Sequence, residues 1–359
     1  GSSIYQTVDD VRTNITLPEV LRAVLVQFTG TPGGDGEKLS LNMLQNGLQD
    51  MGLNPNGELL NVSLTEIGDT TPPRVLGAEL DLTNGILSLN MSETVDASIS
   101  GRLSGQYSNS PFPIDQNKIY VSNSESTSDV NVSMQDASIS NTSSTIIKFN
   151  LTEAQRAQLI LLSGTPGGDT VPTVLNVDEG AFHDLSVNDN HKKYGIPILE
   201  FPDVESPTIL GATFNFGTGI LRVICSETLS TDPTHQSFDL AFLRNISLAV
   251  NDTNSVSLGG SEILAAELDF FELKLPEKSR VEMLYFSSQS VGDGSPILLD
   301  ISEGAFKDLA GNDLVATNGL LVAEIADVIK PSIASSATIN YADGILRVTL
   351  SETIDATPS

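Results

Sequence analysis

Apolar and polar residues alternate in short stretches along most of the chain. In residues 85–92 the apolar positions are Leu87, Leu89 and Met91, and Ser88 and Asn90 stand between them. A period of two sends successive side chains to opposite faces of a strand, so this stretch predicts a strand with one buried face. The alternation returns twice further along, at Leu221, Val223 and Cys225 and at Leu346, Val348 and Leu350.

Residues 72–205 predict seven short strands and one short helix. The helix covers 151–162, where Thr152 precedes an apolar run as a helix-starting residue does. Turns rich in Gly, Pro, Asn and Ser separate the strands. This organisation favours an all-β fold, a two-sheet Greek-key β-sandwich with one short helix per unit, over a parallel sheet with alternating helices. The predicted strands lie near 74–81, 86–92, 118–122, 129–135, 144–150, 172–178 and 193–199.

The sequence repeats itself. A proline, then Gly-Ile-Leu, then Ser-Glu-Thr occur from Pro73, again from Pro207 and again from Pro331, at offsets of 134 and 124 residues. The Gly-Thr-Pro-Gly-Gly-Asp motif at 30–35 returns at 164–169, and Gly-Ala-Phe at 180–182 returns at 304–306. Self-similarity of this kind indicates a tandem array of domains.

The phase of the repeat predicts the domain boundaries. Residues 1–71 correspond to the C-terminal part of one unit, 72–205 and 206–330 to two complete units, and 331–359 to the first strands of a further unit. We refer to these four segments as repeats 1 to 4. Because half a sandwich exposes unpaired strand edges, this phase suggests a segment of a longer chain.

The amino-acid composition excludes some classes of function. There are 18 Lys and Arg against 46 Asp and Glu, which gives a net charge of −28. Such a surface repels phosphate backbones and anionic lipids, so we expect no nucleic-acid partner and no membrane insertion. The single cysteine cannot form an internal disulfide, and its position is Met or Leu in the other copies, so Cys225 is predicted to be a buried core residue.

The repeated motifs resemble a known class of domain. The pattern from the linker proline through Gly-Ile-Leu and Ser-Glu-Thr to the Gly-Ala-Phe-x-Asp-Leu of 304–309 resembles the Ig-like repeats of bacterial adhesins and of very large secreted algal or protist surface proteins. The resemblance covers essentially the whole chain. It implies tandem Ig-like domains in an extracellular protein, for example a mastigoneme or another surface filament.

Eight Asn-x-Ser/Thr sequons are candidates for N-glycosylation. Several fall in polar stretches, and Asn90 is predicted to point outward from its strand, so glycans are expected if the protein is secreted in a eukaryote. The sequon asparagines are Asn14, Asn61, Asn90, Asn131, Asn141, Asn150, Asn245 and Asn251.

Three aspartates are candidate calcium ligands. Asp69, Asp203 and Asp327 recur shortly before the linker prolines, and carboxylates clustered at domain junctions are suitable ligands for this cation. A second recurring pair, Asp184 and Asn188, has a spacing that fits Asx-type turn caps as well as metal ligands. Calcium is therefore a possible cofactor, with turn capping as the alternative.

No catalytic constellation recurs. Ser-Glu-Thr has no histidine at a corresponding place, and the Gly-rich loop at 31–35 lacks the Lys-Ser/Thr of a phosphate-binding loop, so it predicts a turn. We expect a protein that is not an enzyme. The favoured function is a rod-like extracellular shaft that contacts other copies of itself or sister filament proteins laterally and end to end. The alternative is a calcium-stiffened adhesin stalk or a ligand-binding ectodomain.

Overall fold

A computed structural model describes residues 3–4, 10–97, 114–124, 130–139, 142–236, 241–245 and 255–356. The chain divides into two compact units, Gly1–Pro202 and Asp203–Ser359. The described residues are mostly β-strand with a few short helices, which confirms the all-β class. None of the described helices has the length and apolar character needed to cross a membrane.

The first unit contains two helices and a single 3-10 turn, Gln116–Lys118, among its described residues. The helices are α1 (Glu19–Val26) and α2 (Glu153–Leu162). The strands are β1 (Ser3–Ile4), β2 (Ile15–Thr16), β3 (Ser40–Met43), β4 (Leu59–Ser63), β5 (Val75–Asp81), β6 (Ile86–Val95), β7 (Ile119–Ser122), β8 (Asn131–Ser133), β9 (Ser138–Ile139), β10 (Ser144–Asn150), β11 (Val174–Val177) and β12 (Lys193–Phe201).

The second unit contains helix α3 (Glu277–Tyr285) and the 3-10 turn Pro233–His235 among its described residues. Its strands are β13 (Ile209–Asn215), β14 (Ile220–Cys225), β15 (Ala241–Asn245), β16 (Ser255–Ser257), β17 (Glu262–Glu267), β18 (Phe270–Lys274), β19 (Ile297–Ile301), β20 (Thr317–Ile325), β21 (Ile333–Asn340) and β22 (Ile345–Leu350).

The same strand order occurs in both units. Eight strands are hydrogen-bonded in the order β8-β7-β11-β12-β5-β6-β10-β9 in the first and β16-β15-β19-β20-β13-β14-β18-β17 in the second. Each strand of one sheet has its repeat counterpart at the same place in the other. The neighbours are antiparallel except at β12–β5 and β20–β13, where the last strand of the repeat runs parallel to its first. The two repeats therefore share their strand order as well as their sequence motifs.

All seven strands predicted for repeat 2 are present, and so is its helix. Thr152 is the N-cap of α2, where its side chain and that of Gln155 form a capping box. The short strand β9 was not predicted, because two residues are too few to show a period. The repeated glycine of Gly-Ile-Leu has φ of +62° at Gly85 and +68° at Gly219, a backbone region in which other residues are strained.

The alternating positions form the cores of repeats 2 and 3. Leu87 and Leu89 are fully buried, as are Leu221 and Val223. Cys225 is 2% exposed, as predicted. Burial is the largest cause that raises the pKa of its thiol to about 12, and the charges of Asp269 and Glu227 add to the effect. In repeat 4 the corresponding Leu346 and Val348 are 61% and 41% exposed. The same pattern is thus buried in two copies and uncovered in the third.

Burial predicts unequal responses to one kind of substitution within repeat 3. Val223→Ala should lower the free energy of unfolding by about 2 kcal/mol, since it removes two fully buried methyl groups and leaves a cavity. Val315→Ala should change it by less than about 0.5 kcal/mol, because that side chain is 47% exposed. Calorimetric unfolding of the full chain measures both, and equal losses would contradict the burial of Val223.

Candidate functional site: the junctions between repeats

Repeated polar residues meet where one repeat joins the next. The helix of each repeat begins with a glutamate followed three residues later by an arginine, at Glu19 and Arg22 in α1 and at Glu277 and Arg280 in α3. These side chains contact the linker aspartate and the Ser-Glu-Thr motif that follow them. We name the two groups the Arg22 junction (Glu19, Arg22, Asp69, Glu93 and Thr94) and the Arg280 junction (Glu277, Arg280, Asp327, Glu352 and Thr353).

At the Arg22 junction one guanidinium binds three carboxylates. Arg22 donates to Glu19 from Nε at 2.6 Å and to the linker Asp69 from Nη1 at 2.6 Å. Its Nη2 donates to Glu93 Oε2 at 2.9 Å. Glu19 in turn accepts the backbone N–H of Thr94 at 2.8 Å. The helix of repeat 1 is therefore bound to both the linker and the first hairpin of repeat 2.

The Arg280 junction has the same geometry. Arg280 Nη1 donates to Asp327 at 2.9 Å, and Nη2 lies 3.5 Å from Glu352 Oε2. Glu277 accepts the N–H of Thr353 at 2.9 Å, and the hydrogen bonds from Arg280 lower the pKa of Glu277 to about 2. Arg280 has a further acceptor in the carbonyl of Phe216 at 2.8 Å. Two junctions more than 250 residues apart thus use equivalent atoms.

Backbone contacts accompany the ion pairs at the Arg22 junction. The Gly-rich turn of repeat 1 contacts the loop after Gly-Ala-Phe of repeat 2 so closely that a Cβ on Gly33 would lie 1.8 Å from the carbonyl oxygen of Leu185. Asn188 Nδ2 donates to the carbonyl of Asp69 at 3.1 Å. Gly33 therefore allows the two repeats to approach each other, whereas a Cβ on Gly34 would meet the carbonyl oxygen of Thr29 in its own turn.

The predicted Asx turns are present. Asn188 donates to Asp184 from its backbone and from its side chain, at 2.8 Å in each case, and Asn312 makes the same two bonds to Asp308. The linker aspartates are turn caps as well, since Asp69 Oδ1 accepts the N–H of Thr71 at 2.9 Å. Turn capping, the alternative to metal ligation, therefore accounts for one oxygen of Asp69.

Two of the three candidate calcium residues, Asp69 and Asp203, lie in carboxylate trios. One trio is Asp69, Glu93 and Asp184, and the other is Asp203, Glu227 and Asp308; the carboxylate oxygens within each lie within 4.8 Å of one another. Each trio could hold a divalent cation. Asp327, the third predicted ligand, instead binds Arg280. Calcium binding stays a prediction.

The first trio brings three carboxyl groups together beside a single arginine, Arg22. Asp184 is 1% exposed and Glu93 is 6% exposed. Burial and the neighbouring Asp184 raise the pKa of Glu93 to about 7, against the opposing effect of Arg22. Burial also raises the pKa of Asp184, outweighing the hydrogen bonds that it accepts from Asn188. A proton or a cation is therefore favoured at this place.

Sequence reasoning missed the arginine and glutamate residues of these junctions. Their signal was present: Arg22 recurs as Arg156 and Arg280, and Glu19 recurs as Glu153 and Glu277, at the offsets of the other motifs. The Ser-Glu-Thr motif was interpreted only as lacking a catalytic partner. Its glutamate accepts a hydrogen bond from the arginine of the preceding helix, and the N–H of its threonine donates one to the glutamate of that helix.

The sequons differ in their surroundings. Asn14, Asn61, Asn90 and Asn150 are exposed, as predicted for Asn90, and Asn131 is half-buried. Asn245 lies on β15. Asn141 and Asn251 lie outside the described residues.

The histidines make local contacts. His183 Nδ1 lies 2.5 Å from Asp189, and His235 Nδ1 lies 3.0 Å from Ser230 Oγ, five residues away in the same turn. Both partners are near in sequence, and the His183–Asp189 pair recurs in repeat 3 with lysine in place of histidine, as Lys307 with Asp313. The absence of an enzymatic activity stays a prediction.

No protein-family model and no curated protein matches the chain. The repeated junctions are consequently the main basis for a functional proposal.

Proposed function

We propose that this protein is an extracellular structural protein in which tandem Ig-like Greek-key domains form the shaft of a surface filament such as a mastigoneme. The observation that carries the proposal is the recurrence of one junction geometry at Arg22 and at Arg280. Each junction binds the helix of one repeat to the linker and first hairpin of the next. A protein that transmits force or maintains length needs such coupling at every joint.

The chemistry of the junction suits a stiff joint. Charge-assisted hydrogen bonds from a planar guanidinium restrict direction as well as distance. A flexible Gly/Ser linker alone would let neighbouring domains move independently. Here the linker is held at Asp69, which binds Arg22 through one oxygen and caps its own turn through the other. Bending would separate ion pairs that are partly or fully shielded from water.

The surface is consistent with a secreted polymer. A net charge of −28 keeps long chains soluble and opposes unspecific association of strand edges. Four sequon asparagines are exposed and accessible to glycosylation. Lateral partners would be other copies of this chain or sister filament proteins.

Electron microscopy of material from the native source, purified without denaturant, tests the proposal. We expect regular fibres with an axial spacing of one or a few domains. Separate, flexible strings of domains would contradict a filament shaft and would favour the adhesin stalk.

The carboxylate trios favour a calcium-stiffened adhesin stalk, or a ligand-binding ectodomain, as the second candidate. Calcium bound by Asp203, Glu227 and Asp308 would add stiffness where these buried carboxylates meet. Calorimetry with calcium and with a chelator separates the candidates. A stalk of this kind should melt at higher temperature in calcium, and the double variant Asp184→Asn/Asp308→Asn, which changes one carboxylate in each trio, should abolish the increase. An unchanged melting temperature would exclude calcium stiffening.

A further inference from the structure

Two tyrosines of repeat 2 share one carboxylate. Tyr120 lies on β7 and Tyr194 on β12, on either side of β11, and both phenols donate to Asp178, which directly follows β11. The distances are 2.6 Å from Tyr120 to Oδ2 and 2.5 Å from Tyr194 to Oδ1. The two phenol oxygens are 3.1 Å apart, and the ring centroids are 6.2 Å apart with the planes tilted by 58°. One acceptor therefore holds the two rings side by side.

The fold does not require this cluster. Strand pairing identifies the equivalent positions of repeat 3, where Tyr120, Asp178 and Tyr194 are replaced by Phe242, Ser302 and Asn318. Repeat 3 thus forms the same order of eight strands without the two phenol hydroxyls and without the carboxylate. The cluster is a property of repeat 2 that strand order alone does not explain.

The charges around the cluster favour proton transfer over the binding of a cation. The Lys192 ammonium is 4.0 Å from Asp178 Oδ1 and 4.1 Å from the centroid of the Tyr194 ring. Against the effect of burial, the hydrogen bonds from the two tyrosines, followed by the charges of Lys192 and Lys118, lower the pKa of Asp178. Burial, and after it the hydrogen bond to Asp178, raises the pKa of Tyr120. Asp178 is therefore ionised beside a phenol that keeps its proton.

Neighbouring phenols with a shared base are suited to oxidative coupling. A phenol loses an electron more readily when its proton moves to a base that is already hydrogen-bonded to it, and Asp178 is that base for both rings. Both tyrosines are half-buried, so each ring is partly open to solvent. We propose that Tyr120 and Tyr194 form an oxidative cross-linking site, at which hydrogen peroxide and a haem peroxidase join the two rings by a carbon–carbon bond.

The coupling consumes one molecule of peroxide. Each ring in turn loses one electron to the peroxidase and its phenol proton to Asp178, which passes the proton to water before the second ring reacts. The two phenoxyl radicals then form a bond between carbons ortho to their oxygens. The hydrogens on those carbons move to the oxygens, which restores both phenols, and the two electrons and two protons convert the peroxide to two waters. Side-chain rotations bring the rings together, and their fixed proximity favours this product.

The new bond would close a long loop of the chain. Tyr120 and Tyr194 are 74 positions apart in the sequence and lie two strands apart in the sheet. A cross-link of this span restricts the unfolded chain, so it should raise the melting temperature of the unit Gly1–Pro202 by about 5–10 °C. The single cysteine of the chain cannot supply an internal disulfide for this purpose. The inference rests on the proposed extracellular function, because such oxidation belongs to oxidising surroundings.

Oxidation of the full 359-residue chain by hydrogen peroxide and a haem peroxidase tests the inference. We expect a monomer that has lost the mass of two hydrogen atoms and shows the fluorescence of carbon–carbon-linked dityrosine. The linked fraction should not depend on protein concentration, because both rings belong to one chain. Tryptic mapping should join peptide 119–148, which contains Tyr120, to peptide 194–222, which contains Tyr194.

Three variants test the role of each group. Tyr194→Phe keeps the ring without its hydroxyl and should abolish the linked monomer. Asp178→Asn keeps the size of the side chain but takes up no proton, so coupling should slow by about tenfold or more. Tyr285→Phe is the matched control: its tyrosine is 64% exposed, and the variant should form the linkage of positions 120 and 194 like wild type.

Melting temperatures before and after oxidation provide a second measurement. Before oxidation they show whether each variant is folded, and afterwards only wild type and Tyr285→Phe should show the increase. An oxidised wild type without the linkage of Tyr120 to Tyr194, or undiminished coupling in a folded Asp178→Asn, would overturn the inference. Native fibres built from a chain that does not form this bond would overturn the cross-link alone, whereas a chain that forms the bond but no native fibres would overturn the filament alone.

Discussion

Replacing Arg280 by methionine should lower the free energy of unfolding of the unit Asp203–Ser359 by about 3–5 kcal/mol, the cost of removing one partner of a buried ion pair. The side chain is 6% exposed and binds Glu277, Asp327 and Glu352. The hydrogen bond to Glu277, and after it Asp327, raises the pKa of Arg280 above its usual value. Methionine fills similar space but leaves three carboxylates and the Phe216 carbonyl without their donor.

Calorimetry of the full chain measures this effect, and the same helix offers a matched control. Lys278 is 86% exposed and lies 3.7 Å from Glu282, so Lys278→Met should cost less than about 0.5 kcal/mol. Arg280→Lys should fall between the two variants, because a lysine keeps the charge and loses the planar fork. If Arg280→Met melts at the same temperature as Lys278→Met, the junction contributes no stability and the proposed coupling fails.

The second large effect is a loss of stability between pH 4.5 and pH 7 that depends on Glu93. Burial and Asp184 raise the pKa of Glu93 from 4.5 to about 7. Between these values the folded chain holds a proton that the unfolded chain has released, so stability decreases as pH rises. At one pKa unit per 1.36 kcal/mol, the full shift corresponds to at most about 3 kcal/mol. Glu277, whose pKa is lowered to about 2, acts in the opposite direction but below this window.

Glu93→Gln should abolish most of this decrease, because an amide keeps the shape of the protonated acid and does not titrate. Calorimetric melting temperatures at pH 5 and pH 7.5 measure it, at about 2–4 °C per kcal/mol for a unit of this size. Glu79→Gln, an exposed glutamate on the neighbouring strand β5, is the control and should keep the wild-type pH dependence. An equal decrease in Glu93→Gln and wild type would show that Glu93 is ionised at both pH values.

Much of the fold could be predicted from local pattern. The period-two stretches, the turn residues and the N-cap at Thr152 gave seven strands and the helix of repeat 2 close to their observed bounds, because strand and helix signals lie within a few residues. The two-residue strand β9 and the parallel pairing of β12 with β5 could not be predicted. Parallel pairing joins residues about 120 positions apart, and no local period reports it.

The candidate site was predicted only in part. Asp69 was selected because it recurs before a proline, and calcium was proposed because carboxylates at junctions suggest a cation. The structure brings it to Arg22, a residue 47 positions away. The arginine recurs with the same offset, but recurrence does not reveal which repeated residues meet, since distances between repeats depend on the path of the chain between them.

The sequence by itself determined that the chain is all-β, that its motifs repeat, that its composition is strongly acidic and that its one cysteine lies at a buried strand position. These properties follow from the amino-acid composition, from the period of the apolar residues and from the self-similarity of the chain, all of which are visible in the sequence alone. Only the tertiary structure decided that the helix arginine meets the linker aspartate and the Ser-Glu-Thr glutamate, and which elements cover the alternating face in repeats 2 and 3. The physical reason is that charge pairing and burial depend on which distant surfaces come into contact, whereas a strand pattern specifies only which of its faces is apolar.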